Sequence, residues 1–123
     1  MSRRTTVKKI KVSEASGPVL DWLVATAEGY GEAWLLRQLT NINPSTRAIP
    51  SFTTDWSQGG PIIEREHLCL RVGHDGVRLA FSMQNYNDDR EFMHSGPTSL
   101  IAAMRCFVAS RLGDEVKVPE ELL

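Results

Sequence analysis

Leu68-Cys69-Leu70-Arg71-Val72-Gly73-His74-Asp75-Gly76-Val77-Arg78-Leu79-Ala80-Phe81-Ser82-Met83 is the stretch on which the fold turns. Apolar residues recur at every second position, the period of a half-buried strand rather than of a helix. Leu68, Leu70 and Val72 alternate with Cys69 and Arg71, and Val77, Leu79, Phe81 and Met83 alternate with Arg78, Ala80 and Ser82. Between the runs, Gly73-His74-Asp75-Gly76 contains an Asp-Gly pair, which accepts the left-handed backbone of a tight turn. The expectation is an antiparallel hairpin over 67–83. One face would be apolar and packed, and the other, carrying Arg71 and Arg78, would meet water.

An apolar sheet face needs a cover. Ser16-Gly17-Pro18 opens one helix, read from about Gly17 to Glu28, with Ser16 as cap, Pro18 in the first turn and Asp21 favourable to the helix dipole. Val19, Leu20, Leu23, Val24 and Ala27 form its apolar stripe, with Trp22 at the margin and half buried. Ser95-Gly96-Pro97-Thr98 opens a second, Pro97 to Leu112, lined by Leu100, Met104, Phe107, Val108 and Leu112. Ile101, Ala102, Ala103 and Cys106 widen that arc, so this helix is expected to be central. The fold expected is α+β: one domain over 1–123, a small, mainly antiparallel sheet built on the hairpin, and helices at about 17–28 and 97–112 packed on one face.

Other segments are less sharply marked. Residues 1–6 read as a disordered start and Val7 to Ser13 as a short strand. Glu32 to Thr40 reads as a short helix or turn, and Asn41 to Ser51 as a loop. Gln84 to Ser95 reads as an exposed connection. Residues 114–123 read as an acidic tail in which Val116 and Val118 could add an edge strand.

Before the hairpin lies Phe52-Thr53-Thr54-Asp55-Trp56-Ser57-Gln58-Gly59-Gly60-Pro61-Ile62-Ile63-Glu64-Arg65-Glu66. Gly59 and Gly60 permit positive φ, and Pro61 suits the first position of a short helix over Pro61–Glu66 capped by the glycines. Two readings stay open. In one, Trp56 is an exposed platform, and the Gly-Gly backbone with a helix N-terminus attracts a polar or anionic group. In the other, Trp56 plugs the core and Asp55 and Ser57 bond neighbouring backbone. The candidate binding residues are Asp55, Trp56, Gln58, Gly59, Gly60, Glu64 and Arg65. No Walker-type or dinucleotide glycine pattern is present.

The chain has 123 residues, 41% hydrophobic and 24% charged, with net charge −1. That length bounds one domain. No apolar run approaches a membrane span, and the basic start lacks the apolar stretch of a signal peptide, so a cytoplasmic location and no membrane are expected. Cys69 and Cys106 read as reduced, packed thiols, and His67, His74 and His94 have no metal-ligand spacing, so neither metal nor cofactor is expected. Arg3, Arg4, Lys8, Lys9 and Lys11 crowd the start. They read as protection of a strand edge, with contact to phosphate or to an acidic partner as the alternative.

Three segments together resemble one family. These are Ser16-Gly17-Pro18-Val19-Leu20-Asp21-Trp22, the run Thr53 to Glu66 containing Asp-Trp-Ser-Gln-Gly-Gly-Pro-Ile-Ile-Glu-Arg, and the run Gly96 to Val116. They are similar to the NinX-like proteins of bacteriophages and prophages, a family of unknown function. The resemblance implies a small phage accessory protein and brings no catalytic residues, so the leaning is away from an enzyme. Three functions follow for testing. The first is capture of a phage or host protein through the 53–66 stretch. The second is binding or turnover of a small polar or anionic ligand there, with Asp55 and Glu64 as paired carboxylates. The third is nucleic-acid binding by the basic start. The sequence leaves the oligomeric state open.

Overall fold

Thr98 starts the longest helix, its hydroxyl accepting the Ile101 N–H at 3.1 Å. This helix, α4 (Ser99–Leu112), ends at Gly113, whose φ of 91° is the left-handed region that glycine enters without strain. Leu100, Ala102, Ala103, Met104, Cys106, Phe107 and Val108 of α4 are all buried. A helix apolar on most of its circumference must be enclosed. Here it is enclosed by a sheet on one side and by other helices elsewhere. The coordinates are a computed structural model that describes residues 6–40, 48–82 and 93–123.

Around α4 stand β1 (Val7–Lys11), α1 (Gly17–Ala27), α2 (Glu32–Leu39), α3 (Trp56–Arg65), β2 (Leu68–Val72), β3 (Arg78–Ser82), β4 (His94–Gly96) and β5 (Glu115–Pro119). The result is the α+β fold expected, with the hairpin in place. Its sheet runs β2-β3-β4, all antiparallel, while β1 and β5 pair separately as a two-stranded antiparallel sheet. The tail and the start therefore join each other rather than the hairpin. Val12–Glu14 form a turn of 3₁₀ helix after β1. Residues 1–5, 41–47 and 83–92 lie outside the described residues, and with them Arg3, Arg4 and most of the expected connection. Its last residues, His94 and Ser95, belong with Gly96 to strand β4, which pairs with β3.

Two expectations about side-chain direction need correction. The hairpin closes through Gly73, whose N–H donates to the Val77 carbonyl at 2.7 Å, and Gly76 takes φ 82°. That turn sets the register Leu68↔Ser82, Leu70↔Ala80, Val72↔Arg78. Directly paired residues share a face, so Ala80 and Ser82 lie beside Leu68. Leu79 and Phe81 lie with Cys69 and Arg71, and the two arginines fall on opposite faces. The turn fixes the register, and alternation within each strand cannot supply it. The buried β3 residues are Ala80 and Ser82, small enough for α4 to press close. Trp22 is 5% exposed rather than half buried, because the core continues past α1 to Leu35 and Leu39 of α2.

Glycine decides how near α4 its neighbours come. A Cβ on Gly96 would lie 2.9 Å from the Ala102 nitrogen. One on Gly59 would meet the Phe52 carbonyl and lie 2.7 Å from Leu100 Cδ1, whereas one on Gly60 finds only Trp56 Cε3, at 4.0 Å. Both Gly59 and Gly60 lie inside α3. Gly59→Ala is therefore expected to destabilise by about 1–3 kcal/mol through overpacking, and Gly60→Ala to stabilise by about 0.4–1 kcal/mol through reduced unfolded-state entropy. Urea denaturation of the two variants beside wild type checks the opposite signs.

Candidate functional site

The chain enters α3 through a turn in which the Ser51 carbonyl accepts the Thr54 N–H at 3.3 Å and the Asp55 N–H at 2.9 Å. Upstream, the Thr53 N–H donates to Asp21 Oδ1 of α1 at 2.9 Å. Burial raises the Asp21 pKa, and the Thr53 bond only partly offsets it. Asp55 then caps the helix. Its Oδ1 accepts the Ser57 hydroxyl at 2.7 Å and the Ser57 N–H at 2.9 Å, and its carbonyl accepts the Gln58 and Gly59 N–H groups at 3.0 Å. The Ser57 hydroxyl first, and then its N–H, hold the Asp55 carboxyl below the ordinary range.

An aspartate cap starts the helix at Trp56, ahead of the Pro61 start expected from the glycines and proline. Gly59 and Gly60 carry no positive φ. Pro61 lies within the helix, where it offers no N–H to the Ser57 carbonyl. Ser57 is exposed, so water can satisfy that carbonyl. The Asp55 carboxylate caps the helix N-terminus through Ser57, and Gly59 and Gly60 lie three and four residues past the first helical residue rather than at the cap. Asp55 and Glu64 stand at opposite ends of α3, about 13 Å apart along the axis at 1.5 Å per residue. They are not a close carboxylate pair.

What α3 presents outward is Trp56, Ser57, Gln58, Pro61, Glu64 and Arg65, while Gly59 and Ile62 face the core. Trp56 is 54% exposed. Its indole lies beside Gly60, where a side chain would stand in most helices. Of the two open readings of Trp56, the core plug is the one overturned.

At the other end of α3, Arg65 joins a cluster that sequence reasoning did not assemble. Its guanidinium forms a two-pronged pair with Glu28 at the end of α1 and bonds Glu66 at 2.9 Å. Arg111 of α4 bonds Glu66 at 2.8 Å. Both guanidiniums lie over the buried Phe107 ring, 5.6 and 5.5 Å from its centroid. Glu28 first, and then Glu66, raise the Arg65 pKa further. Desolvation opposes the Glu66 charge, but Arg65 and Arg111 outweigh it and lower the Glu66 pKa. Arg65 thus fixes α3 to α1 and α4. The only sequence signal was the acidic-basic-acidic triplet Glu64-Arg65-Glu66.

The remaining candidates are dispersed. Lys9 Nζ pairs with Glu115 at 2.9 Å, joining the basic start to the acidic end, and that bond raises the Lys9 pKa. Lys8 and Lys11 are exposed on the same strand. Cys106 is buried, and burial pushes its thiol pKa up to about 12, while Cys69 is half buried on β2. Among the described residues no group of three or more His, Cys, Asp or Glu side chains could hold a metal, and no helix is long and apolar enough to cross a membrane. A groove of about 550 Å³ lies between α1, α2 and β5 and takes no lining from 53–66.

The family model described as Bacteriophage P22, NinX matches residues 11–111, well over half of the chain. That span includes α1, α3, the hairpin and nearly all of α4. No curated protein matches.

Glu66 supplies a pH test. Its folded pKa lies below its unfolded value near 4.5, so on acidification the unfolded chain takes up the proton first. The stability it contributes is complete above 4.5 and is lost as pH falls through the lowered folded pKa. Thermal melts across the acid range should show Glu66→Gln starting lower at neutral pH and falling less steeply with acid than wild type.

Proposed function

The chain belongs to the bacteriophage P22 NinX family, and from that premise we propose that it is a phage docking protein whose exposed α3 face captures a phage or host protein in the host cytoplasm. The observation that carries this reading is Trp56, 54% exposed on a helix tied at both ends to the core. Tryptophan is favoured as an interface anchor because it brings a large rigid apolar surface at small entropic cost. Ser57, Gln58 and Glu64 supply a polar surround of the kind that rims such anchors.

The fold supports the same reading by its division of labour. Trp22 and Phe107 are buried and hold the core. Arg65 and Asp55 are engaged in fixing α3 and capping it. Trp56 bears no such structural load.

Trp56→Ala should fold with a melting temperature close to that of wild type, as circular dichroism would show. It should weaken partner capture from nuclease-treated lysate of infected cells by at least about tenfold, the loss expected on truncating an interface anchor. Equal capture by both proteins, or a variant that fails to fold, would count against a docking role for this face.

A further inference from the structure

The groove between α1, α2 and β5 borders a strand edge that has no neighbouring strand among the described residues. In the β1–β5 ladder the Glu120 N–H donates to the Thr6 carbonyl and the Val12 N–H to the Asp114 carbonyl, each at 2.9 Å. The register between them runs Val7↔Pro119 to Lys11↔Glu115. Antiparallel pairs alternate between hydrogen-bonded and non-bonded. Thr6/Glu120, Lys8/Val118, Ile10/Val116 and Val12/Asp114 are therefore the bonded pairs. The backbone groups of Glu115 and Lys117 must point the other way, off β5, where no third strand stands among the described residues. Such an edge is a template for pairing.

The two edges of this sheet differ in charge. On β1 the outward residues are Val7, Lys9 and Lys11, and lysines guard an edge by repelling a second copy of themselves. On β5 they are Glu115, Lys117 and, at the strand's end, Pro119, which has no N–H to offer; Glu115 and Lys117 are opposite charges two residues apart. An antiparallel copy of β5 can meet them in several registers. Centred on Lys117 it sets lysine against lysine, and centred on Glu115 it sets glutamate against glutamate. Centred on Val116 it sets Glu115 against Lys117 of the second copy, twice by symmetry, and every outward N–H of these residues finds a carbonyl. Half-exposed apolar residues Val7, Tyr30 and Leu112 line the groove alongside. They would be drawn toward cover by the same association.

We propose that β5 is a homodimer edge, at which two copies join through antiparallel β5 strands, Glu115 facing Lys117 across the two-fold axis, into one four-stranded sheet. The contact is isologous and closed, so it stops at two copies. It is distinct from the α3 face and stands or falls without it.

Sedimentation equilibrium from micromolar to millimolar protein tests the assignment. Wild type should form a dimer that weakens with added salt. Glu115→Lys and Lys117→Glu place like charges opposite each other and should each raise the dissociation constant by about tenfold or more. The double exchange recreates both pairs and should return it to within about threefold of wild type, since the carboxylate introduced by Lys117→Glu also faces Lys9 within the chain. Lys117→Pro removes an outward N–H that the β1 ladder does not use, a position where proline is tolerated. It should keep the melting temperature and lose the dimer. A monomer at all concentrations, a dimer indifferent to the single reversals, or a double exchange no better than the singles would overturn the proposal.

Discussion

Burial of α4 on most of its circumference is the constraint to which the other elements answer. A helix so apolar gains by excluding water on every side, and its neighbours must come close without leaving voids. They do so where side chains are small or missing. Gly96 lets β4 lie against the backbone of Ala102, Gly59 lets α3 lie against Leu100, and Ala80 and Ser82 turn the short side of β3 inward. A charged side chain crosses this packing at Arg105, which bonds the Ala15 carbonyl at 2.8 Å and the Ser95 carbonyl at 2.9 Å. It ties the segment leading into α1, and strand β4, to the same helix.

Much of this architecture is legible in the chain because local signals and packing agree. Helical periodicity, Thr98 and Gly113 mark α4. Ser16 and Pro18 mark the start of α1, though Ser16 gives no side-chain cap bond. What is not legible depends on partners distant in sequence. Which face of β3 is buried follows from the turn at 73–77, not from alternation. Trp22 is enclosed because α2 extends the core. The start of α3 departs from expectation for a different reason: Asp55 caps the helix, and the packing of Gly59 and Ile62 overrides a Gly-Gly-Pro run that would discourage a helix by itself.

The candidate site divides along the same line. Asp55, Trp56 and Glu64 are legible as a set, but their roles emerge only from geometry, with a cap at one end, a bare indole beside Gly60, and a carboxylate far from the first. The partners of Arg65 come from three separate segments, and no local pattern joins Glu28, Glu66, Arg111 and Phe107. The uneven charge along the sequence also resolves in space, since the lysines of β1 and the acids flanking β5 belong to one small sheet.

Helix α3 has a further consequence through Gly59, Gly60 and Pro61. Cut from the protein, residues 53–66 would hold little helix, because two glycines and an internal proline together cost about 5 kcal/mol against alanine. The Trp56 surface is thus a property of the folded domain and cannot be transplanted as a peptide. Within the native ensemble it would also vanish whenever α3 opens locally. The cluster on Phe107 at one end of α3 and the Asp21–Thr53 bond just before it hold that opening in check, so features remote from Trp56 govern how much of the time its face exists.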